Sequence, residues 1–156
     1  MGIDECEWCN LTAKDKQWLL YETVFWDIYL ADKQDYVGRC ILVLKRHCDS
    51  FMHLEDDEWQ DLKFVIDITE KIMREVLGAE LCNWSCLMND FYKKSNPNPH
   101  LHIHMRPRYR KPVQLGQKLF YDSEFGHHYD NQKQVQISAE EMEIVFGKLR
   151  AAFDKL

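Results

Sequence analysis

The stretch His100-Leu101-His102-Ile103-His104-Met105-Arg106-Pro107-Arg108-Tyr109 is the segment from which the rest of the chain can be read. Histidine and apolar residues alternate strictly from His100 to Met105, the period of a β-strand with one apolar face. Alternate residues of a strand lie roughly 6.5 Å apart, so one face projects three imidazoles in a row. Histidine is intermediate in burial and fills a core poorly. The residues alone leave three readings open: a solvent-facing surface, a metal site built from all three rings, or a reaction centre. A three-histidine metal site would need a further ligand from elsewhere and would leave the chemistry unexplained.

Working outward, Cys40-Ile-Leu-Val-Leu44 is a short apolar run that ends at Lys45-Arg46-His47, which places His47 just past a buried strand. The stretch from Gln17 to Ala31 is mostly apolar, aromatic or β-branched and predicts two adjacent strands near a sheet centre, with Asp32 to Gly38 as a polar turn. Apolar residues at Trp59, Leu62, Val65, Ile66, Ile72, Met73, Val76 and Leu77 predict a long amphipathic helix over Glu55 to Leu77, stopped at Gly78. Leu81 to Met88 reads as another strand. Ser138-Ala-Glu-Glu141 is a capping box that opens a helix with Met142, Val145, Phe146, Leu149 and Phe153 on one side. Strands, helix, strands and helix in that order predict an α+β fold around an antiparallel sheet of about five strands.

The whole chain has 156 residues, the size of one domain, expected over 1–156 with a motif-bearing core over 1–109 and a loop and helix over 110–156. Its 46% hydrophobic content excludes a disordered chain, and a net charge of −6 offers no basic footprint for duplex nucleic acid. The first residues lack the cationic and apolar regions of a signal peptide, and no apolar run is long enough for a membrane span. Six cysteines are too few and too unevenly placed for a disulfide scaffold, so a cytoplasmic protein with reduced thiols is expected. Cys6-Glu-Trp-Cys9 is a C-x2-C pair, half of a zinc site, and His47 and one histidine of the alternating run are the candidates to complete it. Cys40, Cys82 and Cys86 read as small core residues.

Taken together, these motifs resemble the histidine triad (HIT) family of nucleotide hydrolases and transferases. The resemblance covers about two-thirds of the chain, from Cys6 to Tyr109, and rests on several elements in register. These are the C-x2-C pair, the strand ending Lys45-Arg46-His47, the long helix, Asn89 thirteen residues before His102, and the triad followed by Pro107-Arg108. The resemblance implies a HIT-like α+β domain that forms a homodimer and holds one structural zinc on Cys6, Cys9, His47 and His100. It also implies that His102 attacks the α-phosphorus of a purine nucleotide conjugate and becomes nucleotidylated. His104 would then meet a bridging or leaving oxygen. Dinucleoside polyphosphates such as diadenosine polyphosphate, nucleoside phosphoramidates and adenylylated acceptors are the implied substrates. Transfer to phosphate or a sugar phosphate in place of water is the alternative, and a zinc-containing nucleotide-binding protein without catalysis is a second.

Several positions depart from the family pattern. Many members carry Gly-His where this chain has Gly38-Arg39, so a permanent cation replaces an imidazole near the triad. The phosphate-binding segment of the Gly-Gln-Ser type is replaced by Lys93-Lys-Ser-Asn-Pro-Asn-Pro99, in which Ser95 and Asn96 could donate hydrogen bonds. Ala31 stands in the register of the usual ribose ligand, which leaves Asp32 as the candidate. Asn89 is expected on the phosphate side. Arg106 and Arg108 could both serve a phosphate mouth or one could cap a dimer edge, and Phe120 to Tyr129 could be a lid over the site or packing across the sheet or a subunit partner.

Overall fold

A computed structural model describes residues 6–130, 132 and 135–156. Strands β1 (Leu19–Glu22), β2 (Trp26–Leu30), β3 (Cys40–Leu44), β4 (Leu81–Ser85) and β5 (His102–Arg108) form one sheet in the order β1-β2-β3-β5-β4. Every neighbouring pair in it is antiparallel. Two short strands, β6 (Val113–Leu115) and β7 (Lys118–Phe120), make a separate hairpin. Helix α1 (Asp56–Ile72) lies between β3 and β4, and α2 (Ala139–Phe153) closes the described chain. The α+β fold with a five-stranded antiparallel sheet and two helices is the one expected.

The alternation in β5 does what the sequence pattern predicts. Ile103 and Met105 join Leu101 in a core with Ile28 and Leu42 of the sheet, Leu62, Val65 and Ile72 of α1, and Val145, Leu149 and Phe153 of α2. His102, His104, Arg106 and Arg108 occupy the opposite face. The strand itself begins at His102, so His100 precedes it. Two backbone bonds, Leu101 N to Cys48 O (2.7 Å) and Leu44 N to Leu101 O (3.3 Å), hold His100 beside the end of β3. Pro107 sits inside β5 where β3 has already ended: β3 pairs with residues 102–105, and at Pro107 only β4 is opposite. A proline without an N–H is tolerated on such a one-sided stretch.

Four expectations are corrected. β1 is an edge strand, and the centre of the sheet is β2, β3 and β5. The strand expected to run to Met88 ends at Ser85, and residues Asn89–Lys93 form a 3-10 turn. The helix expected over Glu55 to Leu77 runs as α-helix to Ile72 and widens into a π-turn over Met73–Leu77, ending at Gly78 in the left-handed region (φ 74°). Its apolar stripe begins at Leu62; Trp59 is 45% exposed and stacks on Phe51. Lastly, the segment 32–38 is no solvated turn. Gln34 and Asp35 are buried, and the Gln34 amide donates to Ala31 O and Arg39 O and accepts from Gly38 N.

Gly38 shows why this connection is tight. Its φ is +84°, and a Cβ there would stand 2.6 Å from Leu77 Cδ1, so only glycine fits ahead of Arg39. No described helix is long and apolar enough to cross a membrane.

Candidate active site and metal centre

The C-x2-C turn closes on itself through Cys9 N to Cys6 O (3.2 Å) and Asn10 Nδ2 to Cys6 O (3.0 Å), which points both sulfurs the same way. They meet the ring nitrogens of His47, past the end of β3, and His100, ahead of β5. The sulfur to nitrogen distances are 3.3 Å (Cys6 to His100 Nδ1), 3.5 Å (Cys9 to His100 Nδ1) and 3.6 Å (Cys9 to His47 Nδ1). All four ligand atoms lie within 4.8 Å of one another. A tetrahedral zinc with bonds of about 2.3 Å to sulfur and about 2.0 Å to nitrogen spaces its ligand atoms by roughly 3.3 to 3.8 Å. The three sulfur to nitrogen distances fall in that range, and the donor types are those of a closed Cys2His2 set, the type that holds a structural ion.

His100 Nε2 donates to Leu44 O at 2.7 Å, which leaves Nδ1 as the ligand atom and fixes the ring against β3. Arg46 orients the neighbouring ligand. It binds the buried Glu58 carboxylate of α1 through Nε and Nη2 and the carbonyl of His53, tying the Lys45-Arg46-His47 corner to the helix. This donor set would hold one zinc ion. When bound, it supplies an anchor between the amino-terminal turn and the triad strand.

His102 is buried, and its Nδ1–H donates to His100 O at 2.9 Å, so Nε2 carries the lone pair. Burial, then the charge of Arg39, lowers its pKa and keeps it neutral. Its ring stacks on Trp8 (5.2 Å between centroids) and receives the edge of Phe91 (5.8 Å). His104 meets it edge to face at 4.9 Å. His104 in turn accepts at Nδ1 from Arg39 Nη2 at 3.2 Å. Burial first, then His102, Arg39 and Arg106, push the His104 pKa down to about 3.

The remaining expected site residues are placed less closely. Asp32 is exposed at the rim of a cleft of about 160 Å³ lined by Trp8, Leu11, Asp15, Tyr29, Ala31 and Ile41, which opens beside the triad face. Asn89 is exposed at the start of the 3-10 turn that carries Phe91. Ser95 and Asn96 are exposed and make no hydrogen bond, ion pair or ring contact with the triad among the described residues.

The two arginines after the triad have separate fates. Arg108 is consumed by the segment 120–130. It donates to both Asp122 carboxylate oxygens, Asn83 Oδ1, His127 O and Glu124 O, with its guanidinium over Tyr36. It therefore serves packing and no phosphate mouth, and Phe120 to Tyr129 is strapped across the sheet. Arg106 stays near the triad, bound to Asp35 and stacked under Tyr129.

Sequence reasoning missed Trp8, Phe91 and Asp35. The one local mark of Trp8 is its place between the two cysteines. Phe91 and Asp35 carry no such local mark.

The sheet order, the Cys2His2 cluster and the facing triad rings define a class: the fold is that of the histidine triad proteins. Among solved structures, the chain is similar to a hypothetical histidine triad nucleotide-binding protein from Sulfolobus tokodaii strain 7 (16% identity, 97% of this chain and 93% of that one, TM-score 0.70). It is also similar to a zinc-bound histidine triad family protein from Mycobacterium smegmatis (19% identity, 99% and 96% covered, TM-score 0.63). A uridylyltransferase structure matches at 19% identity and TM-score 0.68 over 97% of this chain, which spans 46% of that longer one. No protein-family model matches the sequence, and no curated protein matches it at the level of sequence.

Proposed function

We propose that the protein is a histidine triad enzyme that cleaves purine nucleotide conjugates at the α-phosphorus through a nucleotidyl intermediate on His102. The observation that carries this reading is the bond from His102 Nδ1–H to the His100 carbonyl, which aims a neutral Nε2 lone pair away from the strand. Attack forms a bond from Nε2 to phosphorus while the leaving group takes the electron pair of the broken bond. The proton stays on Nδ1, hydrogen-bonded to the His100 carbonyl, which supports the positive charge that develops on the ring. Water then attacks the same phosphorus, the nitrogen recovers its pair, and one water proton passes to solvent.

The cleft lined by Trp8, Tyr29 and Ile41 suits the nucleoside, with Asp32 at its rim for the ribose hydroxyls. Asn89, Ser95, Asn96 and Arg39 are assigned to the phosphate side, His104 to an oxygen of the reacting phosphate. His102→Ala should abolish turnover, and mass spectrometry of quenched protein should find the nucleotidyl group on His102.

The likeness to a uridylyltransferase structure supports a second reading, in which phosphate or a sugar phosphate replaces water as acceptor. Product analysis with and without added phosphate separates the two. AMP binding without turnover or adduct would instead identify a binding protein. Six free thiols, four of the chain's cysteines lying outside the metal cluster, favour a reducing compartment such as the cytoplasm. Among the described residues β1 and β4 are both open edges of the sheet, either of which a second copy could extend into a homodimer; sedimentation should then give the mass of two chains.

A further inference from the structure

A positive cluster stands behind the third triad histidine. Arg39, immediately before β3, donates from Nη2 to His104 Nδ1 at 3.2 Å and from Nη1 to Lys33 O at 3.2 Å. A guanidinium has donors only and keeps its charge at every working pH. Nδ1 of His104 must therefore accept, and the ring proton lies on Nε2. Asp35, fully buried, meets Arg39 Nε at 3.5 Å and accepts from Arg106 Nε at 2.7 Å. Arg106 is buried, lies 4.5 Å from the Tyr129 ring centroid, and keeps Nη1 without a hydrogen-bond partner among the described residues.

Two guanidiniums and one carboxylate sum to 2 − 1 = +1 in a buried setting. The charged and titratable groups facing His104 are Arg39 from the segment before β3, His102 and Arg106 from β5, and Asp90 from the turn after β4. Asp90, the only acid among them, is exposed and paired with Lys93.

We propose that Arg39 makes His104 a fixed hydrogen-bond donor and withholds general-acid catalysis from it, so that the site selects leaving groups that depart without a proton. The inference rests on the reading of His102 as nucleophile. With a nucleotidyl-phosphate anhydride, the bond from phosphorus to oxygen breaks, the pair goes to oxygen, and the phosphate leaves as an anion. Its charge is met by His104 Nε2–H and the guanidiniums. With a phosphoramidate, the amine nitrogen must gain a proton as its bond to phosphorus breaks. His104 has only the Nε2–H of a neutral ring to give, and losing it would leave an imidazolate. Arg39 is thus a specificity-determining residue that acts through His104.

The test compares turnover of diadenosine triphosphate with that of an adenosine 5′-phosphoramidate carrying an alkylamine, in the wild type, Arg39→Gln and Arg39→Lys. The wild type should favour the anhydride. Arg39→Gln keeps a donor and loses the charge, so the ratio should move toward the phosphoramidate by about tenfold for each pKa unit that His104 regains, most strongly at acid pH. Arg39→Lys keeps the charge and should hold the ratio near the wild-type value. In the resting wild-type protein, 15N NMR of labelled histidine should show His104 protonated at Nε2 alone down to about pH 5. That measurement stands even if a variant fails to fold. An unchanged ratio in Arg39→Gln, or a wild-type ring protonated at Nδ1, overturns the proposal. Absence of any nucleotidyl adduct on His102 overturns the underlying reading instead, and leaves the NMR result to be judged separately.

Discussion

His104 couples the reaction face to stability. Its folded pKa, about 3, lies below its ordinary value of 6.5, so between these limits the folded protein binds fewer protons than the unfolded chain. The stability this ring allows is fully present above the ordinary value and is lost as pH falls toward the folded one. The slope for one such group is about 1.4 kcal/mol per pH unit below the ordinary value. His104→Gln should remove that share, so urea unfolding at neutral pH and at about pH 5 should show a shallower acid loss in the variant than in the wild type. Equal losses would show that His104 is not held neutral. Part of the Cys6, Cys9, His47 and His100 cluster was legible in short spacings, two cysteines three apart and a histidine at a strand end, while the choice of His100 from the alternating run came from the family resemblance. The partners of His104 were not. Arg39 reaches it from 65 positions away and Asp35 joins two arginines that no local pattern links, so only the folded register of β3 against β5 brings them together.

At the scale of elements, the amino-terminal turn is the joint of the site. It supplies the two cysteines of the Cys2His2 cluster and, between them, the Trp8 ring that stacks on His102. Burial and the neighbouring Cys6 push the Cys9 thiol up to about 11. Metal binding must release the Cys9 proton, so affinity should weaken as pH is lowered. Metal analysis should find one zinc per chain in the wild type and none in Cys6→Ser or Cys9→Ser, and Trp8 fluorescence should change as the ion is withdrawn by a chelator. Full metal content in those variants would refute the ligand set. The helices were legible from three-and-four periodicity and from the Ser138 capping box. The edge position of β1 and the burial of 32–38 were not, because apolar content does not report a strand's place in a sheet. A glutamine that satisfies a buried loop from within also looks, in sequence, like a polar turn.

Across the whole molecule, the segment 120–130 is fastened to the sheet through one buried ion pair, Arg108 to Asp122. The Arg108 and Asp122 side chains are each 1% exposed, and the guanidinium spends its donors on five acceptors. Arg108→Met would strand a buried carboxylate, at a cost of about 3 to 5 kcal/mol. Denaturant unfolding should show that loss, with faster hydrogen exchange across 120–130, and a change within 0.5 kcal/mol would be the outcome expected of a surface pair. Burial in the sheet and the bond to the His100 carbonyl hold one ring, His102, neutral and aimed. The most direct test is a quenched-flow reaction of the wild-type protein with an adenosine conjugate, followed by peptide mass spectrometry. The expected result is a transient AMP adduct on His102 that forms and decays at rates able to carry turnover. Turnover without that adduct, or turnover that survives His102→Ala, would contradict it.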